Sequence, residues 1–289
     1  MSEPDPVGSK NPPAGLPAGP PDSPPDSPPV HAERRTESAV RYDRFVAAFA
    51  RPFARAVAAY AAPCRPSSVI DHGAGTGVLT RLVHARSPNT MIYAVDPSIE
   101  MLSGLCGEPR CVSLNGVASD LDRLVPGLQV SAVASSLVLM FCEDPSQDLS
   151  LLRARTISEG RLAASVLGQA EGVEPFWCYW SAVGRVIPDA WSPERYPHHR
   201  FADPQTLVSA AQSAGWRSVA IAPVAGRRRL SARFAWDWLN GALPIGVGAG
   251  YATPPDETMQ RVRSEFLSSW GASRTVVSRG WMVRARNPG

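Results

Sequence analysis

Several absences narrow the class of this chain before any motif is read. It has one lysine, Lys10, so its 29 basic residues are otherwise arginines. Its five cysteines (Cys64, Cys106, Cys111, Cys142 and Cys178) are an odd number without a C-x-x-C pair. That pattern excludes a paired-disulfide framework and a zinc ribbon. Cys106 and Cys111 flank a turn and Cys142 closes an apolar run, so small buried hydrophobes are expected. Long hydrophobic runs are missing too: the longest, residues 130–142, holds three serines and is too short to span a bilayer. No apolar segment follows a basic start, so no signal peptide is expected. A soluble protein of the reducing cytoplasm fits these absences. Tryptophan is absent before residue 170, although the chain has eight.

The net charge is +3, and the first 30 residues, with Glu3, Asp5, Lys10, Asp22 and Asp26, contribute −3. The body therefore carries +6, without the interleaved lysines and aromatics of a nucleic-acid surface. Arg227-Arg228-Arg229 is expected to be a solvated face. Eleven of the first 30 residues are proline, in a near repeat with almost nothing to bury. Residues 1–35 are accordingly expected as a disordered tail and residues 36–289 as one α/β domain.

What is present centres on Val69-Ile70-Asp71-His72-Gly73-Ala74-Gly75-Thr76-Gly77. Two β-branched residues end a buried strand, and Val78, Leu79, Leu82 and Val83 then recur at helical spacing. Glycines at alternate positions let the backbone approach a ligand closely. A dinucleotide fingerprint, G-x-G-x-x-G, would need glycine at position 78, where Val78 stands. The acid two residues before Gly73, aimed at the crevice, suits a cationic ligand better than a pyrophosphate. A second apolar run, Met91-Ile92-Tyr93-Ala94-Val95, ends in Asp96-Pro97-Ser98. An acid about 20 residues beyond a Gly-rich turn is placed for ribose hydroxyls.

These segments resemble motif I and the following strand end of the class I S-adenosylmethionine-dependent methyltransferases, in particular the broad small-molecule group. The resemblance implies a Rossmann-like sandwich: a mostly parallel seven-stranded sheet, helices on both faces and a helical cap. It implies S-adenosyl-L-methionine (SAM) as cofactor, bound by Asp71, Gly73, Ala74, Gly75, Gly77, Asp96 and Pro97, with Met101 covering the adenine. The helix over residues 42–60, with Tyr42, Phe45, Val46, Phe49 and Phe53 on one face, either closes over the cofactor or merely packs on the sheet. Tyr42 is the residue expected to reach the methionine end. Val117-Ala118-Ser119-Asp120-Leu121 stands where the family has Asp-Ala-Glu-Asp-Leu. Ala118 keeps a backbone N–H for the adenine, while Val117 and Ser119 replace two acids. The hydroxyl of Ser119 would bind the amine more weakly, by about 1 kcal/mol. Strand four, over 130–135, brings Ser135 and Leu137 to the methionine moiety.

Further strands are expected at 111–114, 160–168, 217–224 and 281–286, and Asp144-Pro145 and Asp203-Pro204 open helices. Cap elements are expected at 171–200 and 226–278. Trp177, Trp180 and Tyr196 are candidates for an acceptor pocket, against the alternative that these aromatics are ordinary cap core. Methyl transfer by in-line displacement demands alignment and water exclusion rather than a fixed triad. His198 and His199 are candidates for a general base or are simply surface residues; His72 reads as a packing residue. No His/Cys/carboxylate group has metal-ligand spacing in sequence, so no metal is expected. The reading is a methyltransferase acting on a small, partly apolar organic acceptor, with no nucleic-acid or membrane partner, as a monomer or homodimer. A SAM- or SAH-binding protein without transferase activity is the alternative, and an NAD(P)-dependent oxidoreductase is disfavoured by the glycine spacing.

Overall fold

The computed structural model describes residues 35–63, 65–168, 174–188, 201–242 and 254–289. The tail up to residue 34, Trp191, Tyr196, His198 and His199 lie outside the described residues. Seven strands, β1 (Ser68–His72), β2 (Met91–Asp96), β3 (Cys111–Asn115), β4 (Val130–Ser136), β5 (Thr156–Leu167), β6 (Arg217–Ser231) and β7 (Ser273–Arg286), form one sheet. Its order is β3-β2-β1-β4-β5-β7-β6. Strands β1 to β5 are parallel, and β7 runs antiparallel to both of its neighbours. The unbroken apolar runs are explained by this arrangement. Val69, Ile70, Ile92 and Val133 are fully buried, as central parallel strands covered on both faces require.

The helices are α1 (Glu37–Tyr42), α2 (Ala48–Ala61), α3 (Val78–Arg86), α4 (Ile99–Leu102), α5 (Leu121–Leu124), α6 (Pro145–Ala154), α7 (Glu174–Val186), α8 (Pro204–Ser213), α9 (Ala232–Ala242) and α10 (Asp256–Trp270). Phe53, Val57, Ala58 and Ala61 of α2 are buried, where that helix packs across β4 and β5. The starts of α6 and α8 follow the sequence. Asp144 accepts from the Ser146 and Gln147 N–H groups and Asp203 from that of Gln205, with proline at the first helical position of each. Trp216 ties α8 to α6 by donating Nε1–H to the Leu149 carbonyl at 2.9 Å. Among the described residues no helix is long and apolar enough to cross a membrane.

Two elements depart from expectation. Strands β6 and β7 pair as far as Ser231 and Ser273, so residues 226–231 and 273–278 extend the sheet instead of belonging to the cap. The exposed arginines 227–229 disguise the strand as loop. On a sheet edge such charges are tolerated and discourage further pairing. The amphipathic stretch at 42–60 is also not one helix. A π-helical turn, Asp43–Ala47, separates α1 from α2, and such turns re-aim side chains within an otherwise regular helix.

Candidate functional site

The Gly-rich turn after β1 can be built only with glycine at its key positions. Gly73 has φ +69°, and a Cβ there would lie 2.2 Å from Val138 Cγ2. Gly77 has φ +88°, and its Cβ would lie 2.2 Å from Leu105 Cδ2. The backbone therefore passes where no side chain fits. The Gly73 and Ala74 N–H groups donate to the Val95 carbonyl at 2.8 and 3.0 Å, binding the turn to β2. At the end of β2, Asp96 accepts from the Gly75 N–H at 2.8 Å and from the Ser98 N–H at 2.9 Å. Gly77 leads into α3 without any side chain capping its first turn.

Asp71 departs from the sequence reading. It does not face an open crevice but is 1% exposed, with Oδ2 accepting from Thr80 Oγ1 at 2.7 Å. The cause is helical return: α3 begins at Val78 and brings Thr80 back over the end of β1. Oδ1 is buried and has no partner among the described residues. Burial pushes the carboxyl up to about 7; the Thr80 hydroxyl opposes the rise and the charge of Asp96 adds to it.

Over the turn lies the N-terminal segment. Thr36 caps α1 and fastens it to the 98–103 region, its N–H donating to Ser103 Oγ at 2.9 Å and its hydroxyl to the Glu100 carbonyl at 2.9 Å. Asp43, in the π-turn, accepts from Thr76 Oγ1 of the Gly-rich turn and pairs with Arg35 and Arg81. Arg81 also donates to the Thr76 carbonyl at 2.9 Å. The neighbouring Tyr42 phenol is pushed up to about 12 by burial and by the charges of Asp96 and Asp43. Asp43, Thr76, Thr80 and Arg81 were not nominated from sequence. Their side chains meet where α3 and the N-terminal segment pack against the Gly-rich turn, and no spacing rule marks them.

The remaining candidates divide. Met101 is half-buried and Pro97 exposed on the helix turn after β2. Ala118 is buried, whereas Ser119 is exposed and Val117 is 43% exposed. Asp120 is engaged locally, accepting from the Val117 N–H at 3.0 Å and pairing with Arg123. Leu137 adopts φ +63°, a costly conformation for a branched residue that clusters at binding sites. Ser135 is a correction. It lies opposite His72 in the β1–β4 register, is 0% exposed, and its Oγ lies 3.2 Å from His72 Nδ1. Strand alternation turns its side chain to the face away from that of its neighbours 134 and 136. His72 is buried, as expected. Cys106 is exposed rather than buried, because the chain turns at the surface before Gly107.

In the cap, α7, α9 and α10 interleave aromatics. Ring centroids lie 5.4 Å apart for Phe176–Trp238, 5.9 Å for Tyr179–Trp236 and 5.2 Å for Phe266–Trp270. Phe49 of α2 reaches them, 5.1 Å from Trp238. Of the two candidate residues described, Trp177 is 39% exposed, while Trp180 is buried with an indole N–H that finds no partner among the described residues.

No protein-family model matches the chain. It is 32% identical over 102 residues to a trans-aconitate 2-methyltransferase of Pseudomonas aeruginosa, covering 35% of this chain and 36% of that protein. It is 31% identical over 188 residues to a malonyl-[acyl-carrier protein] O-methyltransferase of Halorhodospira halophila, covering 62% of this chain and 58% of that protein. The matched segments thus span less than two thirds of either relative's length. Among solved structures, a SAM-dependent methyltransferase from Archaeoglobus fulgidus aligns with a TM-score of 0.51 at 13% identity, over 87% of this chain and 100% of that one. That likeness is one of fold.

Proposed function

We propose that this chain is a class I S-adenosylmethionine-dependent methyltransferase that transfers a methyl group from SAM to a small, partly apolar organic acceptor, a reading its curated relatives support. The observation that carries the reading is the pair of carboxylates flanking the Gly-rich turn, one of which, Asp71, is buried with an unpartnered oxygen. An unsatisfied buried acceptor costs about 1–3 kcal/mol, and a cationic ligand group beneath the turn relieves it. The ammonium and sulfonium of SAM fit that requirement, and a pyrophosphate does not. Asp96 is placed to accept from ribose hydroxyls while keeping its backbone bonds. Tyr42, Leu137 and the turn from Gly73 to Gly77 would enclose the methionine end, and Met101 and Ala118 the adenine.

When bound, the cofactor supplies an electrophilic methyl group on its sulfonium. The contribution of the chain is alignment and the exclusion of water, which the segment from Thr36 to Ala47 and the aromatic cap would supply. The names of two curated relatives specify trans-aconitate and a malonyl group borne on acyl-carrier protein as their acceptors, both of them carboxylic acids. The buried indole N–H of Trp180 is a donor suited to a carbonyl or carboxylate on such a molecule. The replacement of two acids by Val117 and Ser119 supports the second reading, binding of SAM or SAH without transfer.

Calorimetric titration of the full chain with SAH and with NADPH tests the cofactor. Micromolar SAH binding with NADPH silent is expected, and the reverse pattern would overturn the assignment. Turnover of methyl-labelled SAM against a panel of small organic acids, amines and phenols then separates transfer from binding alone.

A further inference from the structure

We propose that His72, Cys142 and Asp148 form a binding site for one divalent transition-metal ion of the zinc class, at the ends of β1 and β4. His72 lies 70 residues before Cys142, with Asp148 close behind it, which hides the site from any local spacing rule. In the fold their ligand atoms all lie within 4.8 Å of one another, and His72 Nε2 stands 3.9 Å from Asp148 Oδ2. That separation is too long for a direct hydrogen bond. A tetrahedral ion with bonds of about 2.0–2.3 Å separates its ligand atoms by roughly 3.3–3.6 Å, so the side chains need to close by only about an ångström.

The donors suit a borderline ion. Imidazole, thiolate and carboxylate together select zinc or cobalt over magnesium or calcium, which prefer all-oxygen shells. The imidazole is already oriented, since Ser135 Oγ engages Nδ1 at 3.2 Å and leaves Nε2 on the side of Asp148. A hydrogen bond to the far ring nitrogen is the usual outer support of a metal-bound histidine. His72 is 5% exposed, whereas Cys142 and Asp148 are half-buried, which leaves a side for the ion to enter. Binding forms a metal–sulfur bond as the Cys142 thiol releases its proton to solvent. The remaining coordination position falls to water.

The consequence is mechanical. Cys142 and Asp148 belong to the segment that follows β4, and Val138 of that segment packs where a Gly73 side chain would be. An ion at the site therefore ties this segment to the end of β1 directly beneath the Gly-rich turn. Nothing in this proposal depends on methyl transfer, and its readouts need neither cofactor nor acceptor.

The test is titration of the untagged, metal-free full chain with Co²⁺, followed by displacement with Zn²⁺. One equivalent of Co²⁺ should bind with a thiolate-to-cobalt charge-transfer band and intense visible bands of tetrahedral geometry, both removed by Zn²⁺. Cys142→Ser should abolish the charge-transfer band, while His72→Asn and Asp148→Asn should each weaken binding at least tenfold. Cys106→Ser should change nothing, which separates the site from adventitious binding at the exposed thiol. Zn²⁺ should raise the melting temperature of the wild type but not of Asp148→Asn, a first-turn helical substitution that leaves the core intact. A charge-transfer band that persists in Cys142→Ser, or a folded wild type that binds Co²⁺ only with weak octahedral bands, overturns the proposal.

Discussion

Asp71 and Asp96 end or follow adjacent parallel strands, and their positions after apolar runs made both legible from sequence. Their environments were not. The burial of Asp71 depends on Thr80 returning over it, a contact set by where α3 begins. Replacing Asp71 with Asn removes the buried charge while keeping the shape, so the ligand-free protein should melt no lower than the wild type. Loss of the charged partner for the cofactor's ammonium should weaken SAH binding about tenfold, or about 1.4 kcal/mol. Calorimetry and thermal melting on the same sample check both halves, and unchanged SAH affinity would remove Asp71 from the site. Asp96→Ala should weaken SAH binding about thirtyfold, or about 2 kcal/mol, if its carboxylate holds the ribose. Sequence alone suggests a ligand-free protein of unaltered stability. The two backbone N–H groups that Asp96 accepts from revise that to a melting temperature lower by several degrees, since about 1 kcal/mol shifts a domain of this size by about 2–4 °C. Ser135 shows the limit at this scale. Its place at the end of β4 was readable, but which face its side chain took depended on exact register, where a slip of one residue inverts the outcome.

At the scale of elements, runs of buried residues were recovered well and exposed ones poorly. Strands β1 to β4 have few polar interruptions and were placed within a residue or two. The outer halves of β6 and β7 alternate buried residues with arginine and serine on an open edge, so their periodicity is masked by charge. The proposed lid, residues 36–47, was legible only as part of an amphipathic helix. Its π-turn, which points Asp43 at Thr76 and Arg81, has no sequence signature. If that turn latches the lid over the cofactor, Asp43→Ala should speed SAH release about tenfold, as expected for the loss of a charge-assisted hydrogen bond. Arg81 keeps its bonds to Glu108, Gly104 and Thr76, so α3 should stay folded. Stopped-flow displacement of SAH, with circular dichroism as control, measures this, and an unaltered release rate would make the segment mere packing.

At the scale of the described molecule, the half proposed to hold the cofactor was readable and the half proposed to select the acceptor was not. Adenosyl recognition needs a fixed backbone turn, which demands glycines and acids at set spacings. Acceptor selection needs only a shaped cap, and the aromatics proposed for it, Phe49, Phe176, Trp180, Trp238 and Phe266, lie more than 200 positions apart at the extremes. The fold therefore predicts a division of labour. Residues 1–30 hold eleven prolines and none of the residues proposed to bind cofactor or acceptor. Their deletion should leave SAH affinity and turnover within about twofold, or about 0.4 kcal/mol. Within the cap, Trp180→Ala would confound acceptor binding with a cavity costing about 3–5 kcal/mol of stability. Trp180→Phe instead keeps a six-membered aromatic ring and removes the N–H, unpartnered among the described residues, with the rest of the indole's smaller ring. It should raise the acceptor's KM about tenfold, leave SAH affinity unchanged and lower the melting temperature only slightly, because no protein hydrogen bond is lost. Paired kinetics for donor and acceptor on both variants decide the matter. Loss of SAH binding in the tail deletion, or an acceptor KM indifferent to Trp180→Phe, would contradict the assignment of acceptor choice to the cap.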